Sequence, residues 1–91
     1  MATVRIPSPL RRYTNSQSKV ESNGGNIAEL LDNLDTQYPG IKTKLCDESG
    51  NIKRYVNIFV NDEEIRTLQG SETTLTDKDE VSIIPAMAGG R

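Results

Sequence analysis

Alternation of apolar and polar side chains predicts five strands, at residues 3–6, 17–22, 54–60, 64–66 and 80–85. The pattern is strongest in the third strand, where Val56, Ile58 and Val60 share one face. In the last strand, Val81 and Ile83 share a face in the same way. Because each of these strands has one consistently apolar face, the sheet that they form needs a covering layer on that face.

Apolar residues at helical spacing predict that covering layer. Ile27, Leu30, Leu31 and Leu34 form one stripe of a helix. Asn26 precedes the stripe as an N-cap, and Glu29 follows three residues later, as in a capping box. Pro39-Gly40 ends the helix. The order β-β-α-β-β-β predicts an α+β fold, with one sheet covered by one main helix.

Composition limits the class of protein. Ninety-one residues make one small domain, with 34% hydrophobic residues, 26% charged residues and a net charge of −2. The basic residues form no stripe, which argues against nucleic acid as a partner. The apolar runs span four or five residues, far short of the ~20 that cross a bilayer, and no apolar h-region suggests a signal peptide. One cysteine gives no disulfide framework, so we expect a cytoplasmic protein without membrane contact.

The residue types needed for catalysis are scarce. The chain has no histidine, so Cys46 has no imidazole to activate it, and the neighbouring Asp47 and Glu48 should raise the pKa of its thiol. His/Cys metal sites are excluded by count. We therefore expect no catalytic residue, no metal and no cofactor, and a chain that enzymes act upon.

Residues 86–91 carry the most informative pattern. Small residues and the pair Gly89-Gly90 follow directly after the last predicted strand. Glycine has no Cβ, so two in succession can pass through a narrow channel. An extended segment from 86 to 90 would reach roughly 17 Å. We predict a domain over residues 1–85 and a flexible C-terminal tail over residues 86–91.

Several segments resemble one known family. These segments are Val60-Asn61-Asp62, the Asp-x-Asp-x-Val turn at residues 77–81, and Ile-Ile-Pro-Ala-Met-Ala-Gly-Gly at residues 83–90. With the strand and helix order, they resemble the sulfur carriers of the ThiS and MoaD family, most of all the actinobacterial carriers of cysteine biosynthesis. The resemblance covers nearly the whole chain. It implies a ubiquitin-like β-grasp fold, with a mixed sheet of about five strands and one main helix.

The resemblance also implies a mechanism and partners. An ATP-dependent enzyme like the ubiquitin-activating enzymes would adenylate the carboxylate of Gly90, and sulfide from a donor would then displace AMP to leave a thiocarboxylate. A sulfur-accepting synthase, in the cysteine pathway a pyridoxal-phosphate enzyme, would take the sulfur. A zinc metalloprotease would later free the product.

Arg91 departs from the family pattern, because Gly90 must have a free carboxylate to be adenylated. Arg91 is thus a predicted processing residue, to be removed before activation, although an incidental residue remains an alternative. Other functions also stay open: a ubiquitin-like modifier conjugated to lysines, an interaction domain of the same fold with an inert tail, or a carrier of sulfur for molybdopterin, thiamine or a secondary metabolite.

Three apolar residues are predicted on the face of the sheet away from the helix. Alternation turns Tyr55, Phe59 and Ile84 to that face, which in an antiparallel sheet is normally polar. Scattered apolar residues are common on protein surfaces. Here they are predicted to form a patch that docks on the activating enzyme.

Overall fold

Five strands form one mixed sheet in the computed structural model, which describes residues 1–85. The strands and helices are β1 (Ala2–Arg5), β2 (Lys19–Ser22), α1 (Ile27–Gln37), α2 (Ile41–Leu45), β3 (Val56–Val60), β4 (Glu63–Glu64) and β5 (Glu80–Pro85). Short 3₁₀ helices cover Ser8–Tyr13, Ile65–Thr67 and Gly70–Glu72. The strand order is β2-β1-β5-β3-β4, with β1 and β5 parallel and the other neighbours antiparallel. The predicted α+β architecture is confirmed.

The core lies between the sheet and α1. Ile58 pairs with Ile83 and Val60 with Val81, so the faces predicted to be apolar point together into the core. The stripe of α1 is buried against them, and its members are at most 2% exposed: Ile27, Leu30, Leu31 and Leu34. The opposite face of the sheet has no covering layer among residues 1–85, and we call it the open face.

The start of α1 follows the predicted capping pattern. The side chain of Asn26 accepts a hydrogen bond from the Glu29 N–H at 2.9 Å. The Glu29 carboxylate accepts in return from the N–H of Gly25, at 2.8 Å, one residue before the position expected for a capping box. The bond to Asn26 satisfies a first-turn donor that a helix cannot pair internally, whereas the bond from Gly25 fixes the residue before the cap.

Two short helices were not predicted. After β1 the chain forms the 3₁₀ helix Ser8–Tyr13, which has a proline in its first turn. Gly40 was interpreted as ending the main helix, but it also begins α2. Its φ of +99° is a left-handed conformation in which the chain reverses, and Ile41 and Leu45 of α2 are then buried.

The prediction of a strand at residues 64–66 is wrong in part. Only Glu63 and Glu64 pair with β3, opposite Val60 and Phe59. Ile65 instead begins a 3₁₀ helix, and its side chain is 2% exposed. Ile65 is the one apolar residue of this segment, and the helical turn buries its side chain in the core.

Candidate functional site

β5 positions the segment that carries the predicted chemistry. Pro85, the last described residue, pairs with Val56, so the described part of the chain ends beside the first residue of β3. The predicted sulfur-carrying residues Gly89 and Gly90 and the predicted processing residue Arg91 lie outside the described residues. The site defined by the structure is therefore the surface around Pro85.

An apolar patch lies on the open face next to this point. We define the open-face patch as Tyr55, Phe59 and Ile84. Phe59 pairs with Ser82, which places Ile84, two residues further along β5, diagonally across the same face. Ile84 is 50% exposed and Tyr55 is 47% exposed, while Phe59 is half-buried. Phe59 and Ile84 thus share the open face, whereas Tyr55 precedes β3 in a turn, where strand pairing does not fix the face of its side chain.

Tyr55 lies in a turn and not in the predicted strand. The strand expected over residues 54–60 begins at Val56, and Arg54 and Tyr55 form a turn. The Val56 N–H donates to the Lys53 carbonyl at 3.0 Å and closes that turn. The ammonium of Lys53 lies 5.9 Å from the centre of the Tyr55 ring, within the range of a cation–π contact.

The guanidinium of Arg66 holds this turn. Its Nη2 donates to the carbonyls of Val56 at 2.9 Å, Lys53 at 3.1 Å and Arg54 at 3.4 Å. Its Nη1 donates to Oδ1 of Asn57 at 2.9 Å and to the Glu64 carboxylate at 3.3 Å. Sequence reasoning missed Arg66, and no local signal reveals it, since its backbone acceptors lie ten or more residues away.

Cys46 is placed where a reactive thiol is disfavoured. Its side chain is 6% exposed, and burial raises the pKa of the Cys46 thiol. The nearby charge of Lys42 acts in the opposite direction, while Asp47 raises the pKa further. The direction of the pKa shift agrees with the prediction, but burial is the largest cause, Asp47 is a smaller one and Glu48 is not among the causes.

Residues 1–85 contain neither a metal-binding cluster nor a membrane-spanning helix. They hold no group of three His, Cys, Asp or Glu side chains arranged to bind a metal ion. No helix in the described part of the chain is both long enough and apolar enough to cross a bilayer.

Comparison with known proteins identifies the family. The sequence profile of the ThiS family matches residues 4–90, which include both glycines of the di-glycine. The chain belongs to the ThiS family. The sulfur carrier protein CysO of Mycobacterium tuberculosis is 42% identical over 90 residues, which are 97% of each chain.

Solved structures of similar proteins agree with this assignment. The crystal structure of M. tuberculosis CysO superposes with a TM-score of 0.91 at 39% identity, covering 96% of this chain and all of that one. The complex of BexX and CysO from Amycolatopsis orientalis contains a chain that superposes with a TM-score of 0.92 at 38% identity, covering 99% of this chain and all of that one. The ubiquitin-like β-grasp fold and the sulfur-carrier assignment predicted from the sequence are confirmed.

Proposed function

We propose that this protein carries sulfur as a thiocarboxylate on Gly90, for cysteine biosynthesis. The observation that supports this most directly is the full-length similarity to CysO, in a family match that reaches Gly90. The described domain fits a carrier that enzymes act upon, because its one thiol is buried and of raised pKa. On this proposal the protein is not itself an enzyme, and it acts in the cytoplasm.

The chemistry requires a free carboxylate on Gly90. A carboxylate oxygen attacks the α-phosphate of ATP and releases pyrophosphate, which makes the carbonyl an electrophile with AMP as its leaving group. Sulfide then attacks the carbonyl carbon and expels AMP. Since Arg91 follows Gly90 in the sequence, cleavage after Gly90 must come first.

Three enzymes are the proposed partners. An ATP-dependent activating enzyme adenylates Gly90, a pyridoxal-phosphate cysteine synthase receives the sulfur, and a zinc metalloprotease cleaves after Gly90. The crystal structure of a CysO chain in complex with BexX supports the proposal that a carrier of this type binds partner proteins. We place the contact with the activating enzyme on the open-face patch, because it combines exposed apolar area with proximity to Pro85.

Intact-mass spectrometry tests the thiocarboxylate. The form that ends at Gly90 is incubated with the cognate activating enzyme, ATP and sulfide, and its mass should rise by the exchange of one oxygen for one sulfur. A form lacking Gly90 is the matched control and should not change. Sulfur found on Cys46 instead of the C-terminus would refute the proposal.

A ubiquitin-like modifier is the second candidate. The small archaeal modifier protein 3 of Haloferax volcanii is 38% identical over 64 residues, which cover 70% of this chain and 68% of that protein. A modifier would be joined through Gly90 to lysines of other proteins. Isopeptide-linked adducts recovered from cells by mass spectrometry would support this function, and a free thiocarboxylate without adducts would exclude it.

A further inference from the structure

Arg66 is tied into the structure at both ends of its side chain. Its backbone lies in the 3₁₀ helix that follows β4, where the neighbouring Ile65 is buried. The carboxylate of Glu64 accepts from the Arg66 backbone N–H at 3.2 Å, and the Thr67 hydroxyl donates to the Glu64 carbonyl at 2.7 Å. The backbone of Arg66 is therefore held in place independently of the contacts that its guanidinium makes.

The guanidinium spans from this fixed base to the turn before β3. It bonds the carbonyls of Lys53, Arg54 and Val56, three of the four residues of that turn. A planar fork can bond several acceptors at once, whereas a lysine ammonium is a point charge on a flexible stem. The ion pair between Arg66 and Glu64 adds little stability, because the Arg66 side chain is 43% exposed and exposed ion pairs are screened by water. The contacts to the turn are thus the distinctive feature of Arg66.

The turn held by Arg66 borders the open-face patch. It carries Tyr55, and its last residue, Val56, pairs with Pro85. Asn57, which accepts from the same guanidinium, pairs directly with Ile84 on the open face. Arg66 therefore contacts the residues beside two members of the patch, at the point where the chain continues towards Gly90.

We propose that Arg66 is a positioning residue for carrier activation, which fixes the Lys53–Val56 turn so that Tyr55 and Ile84 present one preformed surface to the activating enzyme. This inference rests on the proposed function. Docking on a preformed surface avoids the entropy of ordering side chains and loops during association. Loss of the guanidinium fork should therefore weaken docking and leave the chemical step unchanged.

Arg66→Lys is the decisive variant, because it keeps the charge and removes the planar fork. Arg54→Lys is its matched control: Arg54 lies in the same turn, is exposed, and makes no side-chain hydrogen bond or ion pair among residues 1–85. Steady-state adenylation is measured on forms that end at Gly90. We expect Arg66→Lys to raise KM for the carrier by about fivefold or more with kcat unchanged, and Arg54→Lys to change neither.

Hydrogen exchange on the full chain tests the positioning directly. The Val56 amide, which closes the turn, should exchange faster in Arg66→Lys, while the Ile58 amide in the same strand should not change. A wild-type KM for Arg66→Lys would overturn the inference. A raised KM with unchanged Val56 exchange would also overturn it, because it would show that Arg66 contacts the enzyme directly. If the wild-type carrier is not adenylated at all, the proposed function fails, and Val56 exchange alone decides whether Arg66 holds the turn.

Discussion

Asn61 and Asp79 join the turn between β3 and β4 to the start of β5. The amide nitrogen of Asn61 donates to Oδ1 of Asp79 at 3.1 Å, and Oδ1 of Asn61 accepts from the backbone N–H of Glu80, also at 3.1 Å. The other carboxylate oxygen of Asp79 accepts from the Thr76 N–H at 2.9 Å. Asn61 has a φ of +60°, a conformation that asparagine tolerates better than most residues. Two turns that are distant in sequence therefore depend on one pair of side chains.

Asp79→Asn should lower the free energy of unfolding by about 1 kcal/mol at pH 7, because one carboxylate acceptor becomes a donor that faces another donor. Hydrogen bonds from the Thr76 and Asn61 groups lower the pKa of Asp79 in the folded protein. The corresponding stability is present above the unfolded pKa of about 3.9 and is lost as the pH falls through the lower folded value. The difference between wild type and variant should therefore narrow below pH 4, in urea titrations at several pH values. Asp77→Asn is the control and should change stability by less than about 0.5 kcal/mol, since the Asp77 side chain is 91% exposed.

Gly24→Ala should destabilise the domain by about 1–3 kcal/mol. A Cβ at this position would lie 2.5 Å from the backbone nitrogen of Leu30, which is fixed in α1. Gly25→Ala is the matched control, because its Cβ would approach only the movable carboxylate of Glu29, at 3.2 Å. Chemical denaturation of both variants measures the difference, and equal losses would contradict the close approach of Gly24 to the helix.

Phe59→Ala should weaken binding to the activating enzyme by about 1–3 kcal/mol, as for a central apolar anchor of an interface. Isothermal titration calorimetry measures the affinity, and circular dichroism shows whether the variant is folded. Ile84→Ala, at a half-exposed position of the same patch, gives a second test with less risk to the core. Leu68→Ala removes an exposed apolar residue outside the patch and should bind as wild type does. Wild-type affinity of both patch variants would place the interface elsewhere.

The chain with Arg91 should not be adenylated in the absence of a protease, whereas the form that ends at Gly90 should react. The reason is chemical: Gly90 has a free carboxylate only after the peptide bond to Arg91 is cleaved. Release of pyrophosphate from ATP by the purified activating enzyme measures the reaction. Equal adenylation of the arginine form, with its arginine retained, would show that cleavage is not required.

The sequence predicted those elements whose signals are local and periodic. The stripe of α1, its Asn26 cap and the bounds of β5 were all correct, because each follows from side chains within a few residues. The helices after Pro7 and Gly40 were missed, since a helix of five or six residues has too few positions to show a period. Arg66 was missed for a different reason. Its acceptors are backbone carbonyls that only the fold brings together. Every residue type has a backbone carbonyl, so the sequence does not indicate which carbonyls Arg66 binds.

The parallel pairing of β1 and β5 has a practical consequence for handling this protein. The amino group of Met1 lies 3.3 Å from Asp77, just before β5 begins, whereas Pro85 ends that strand. Six strand residues separate these two points by roughly 20 Å. A fluorophore, affinity tag or surface linker at the N-terminus is therefore attached at the far end of the sheet from Pro85. The protein can be immobilised there on a sensor chip with the Pro85 end facing the solution, an orientation that a C-terminal fusion would prevent.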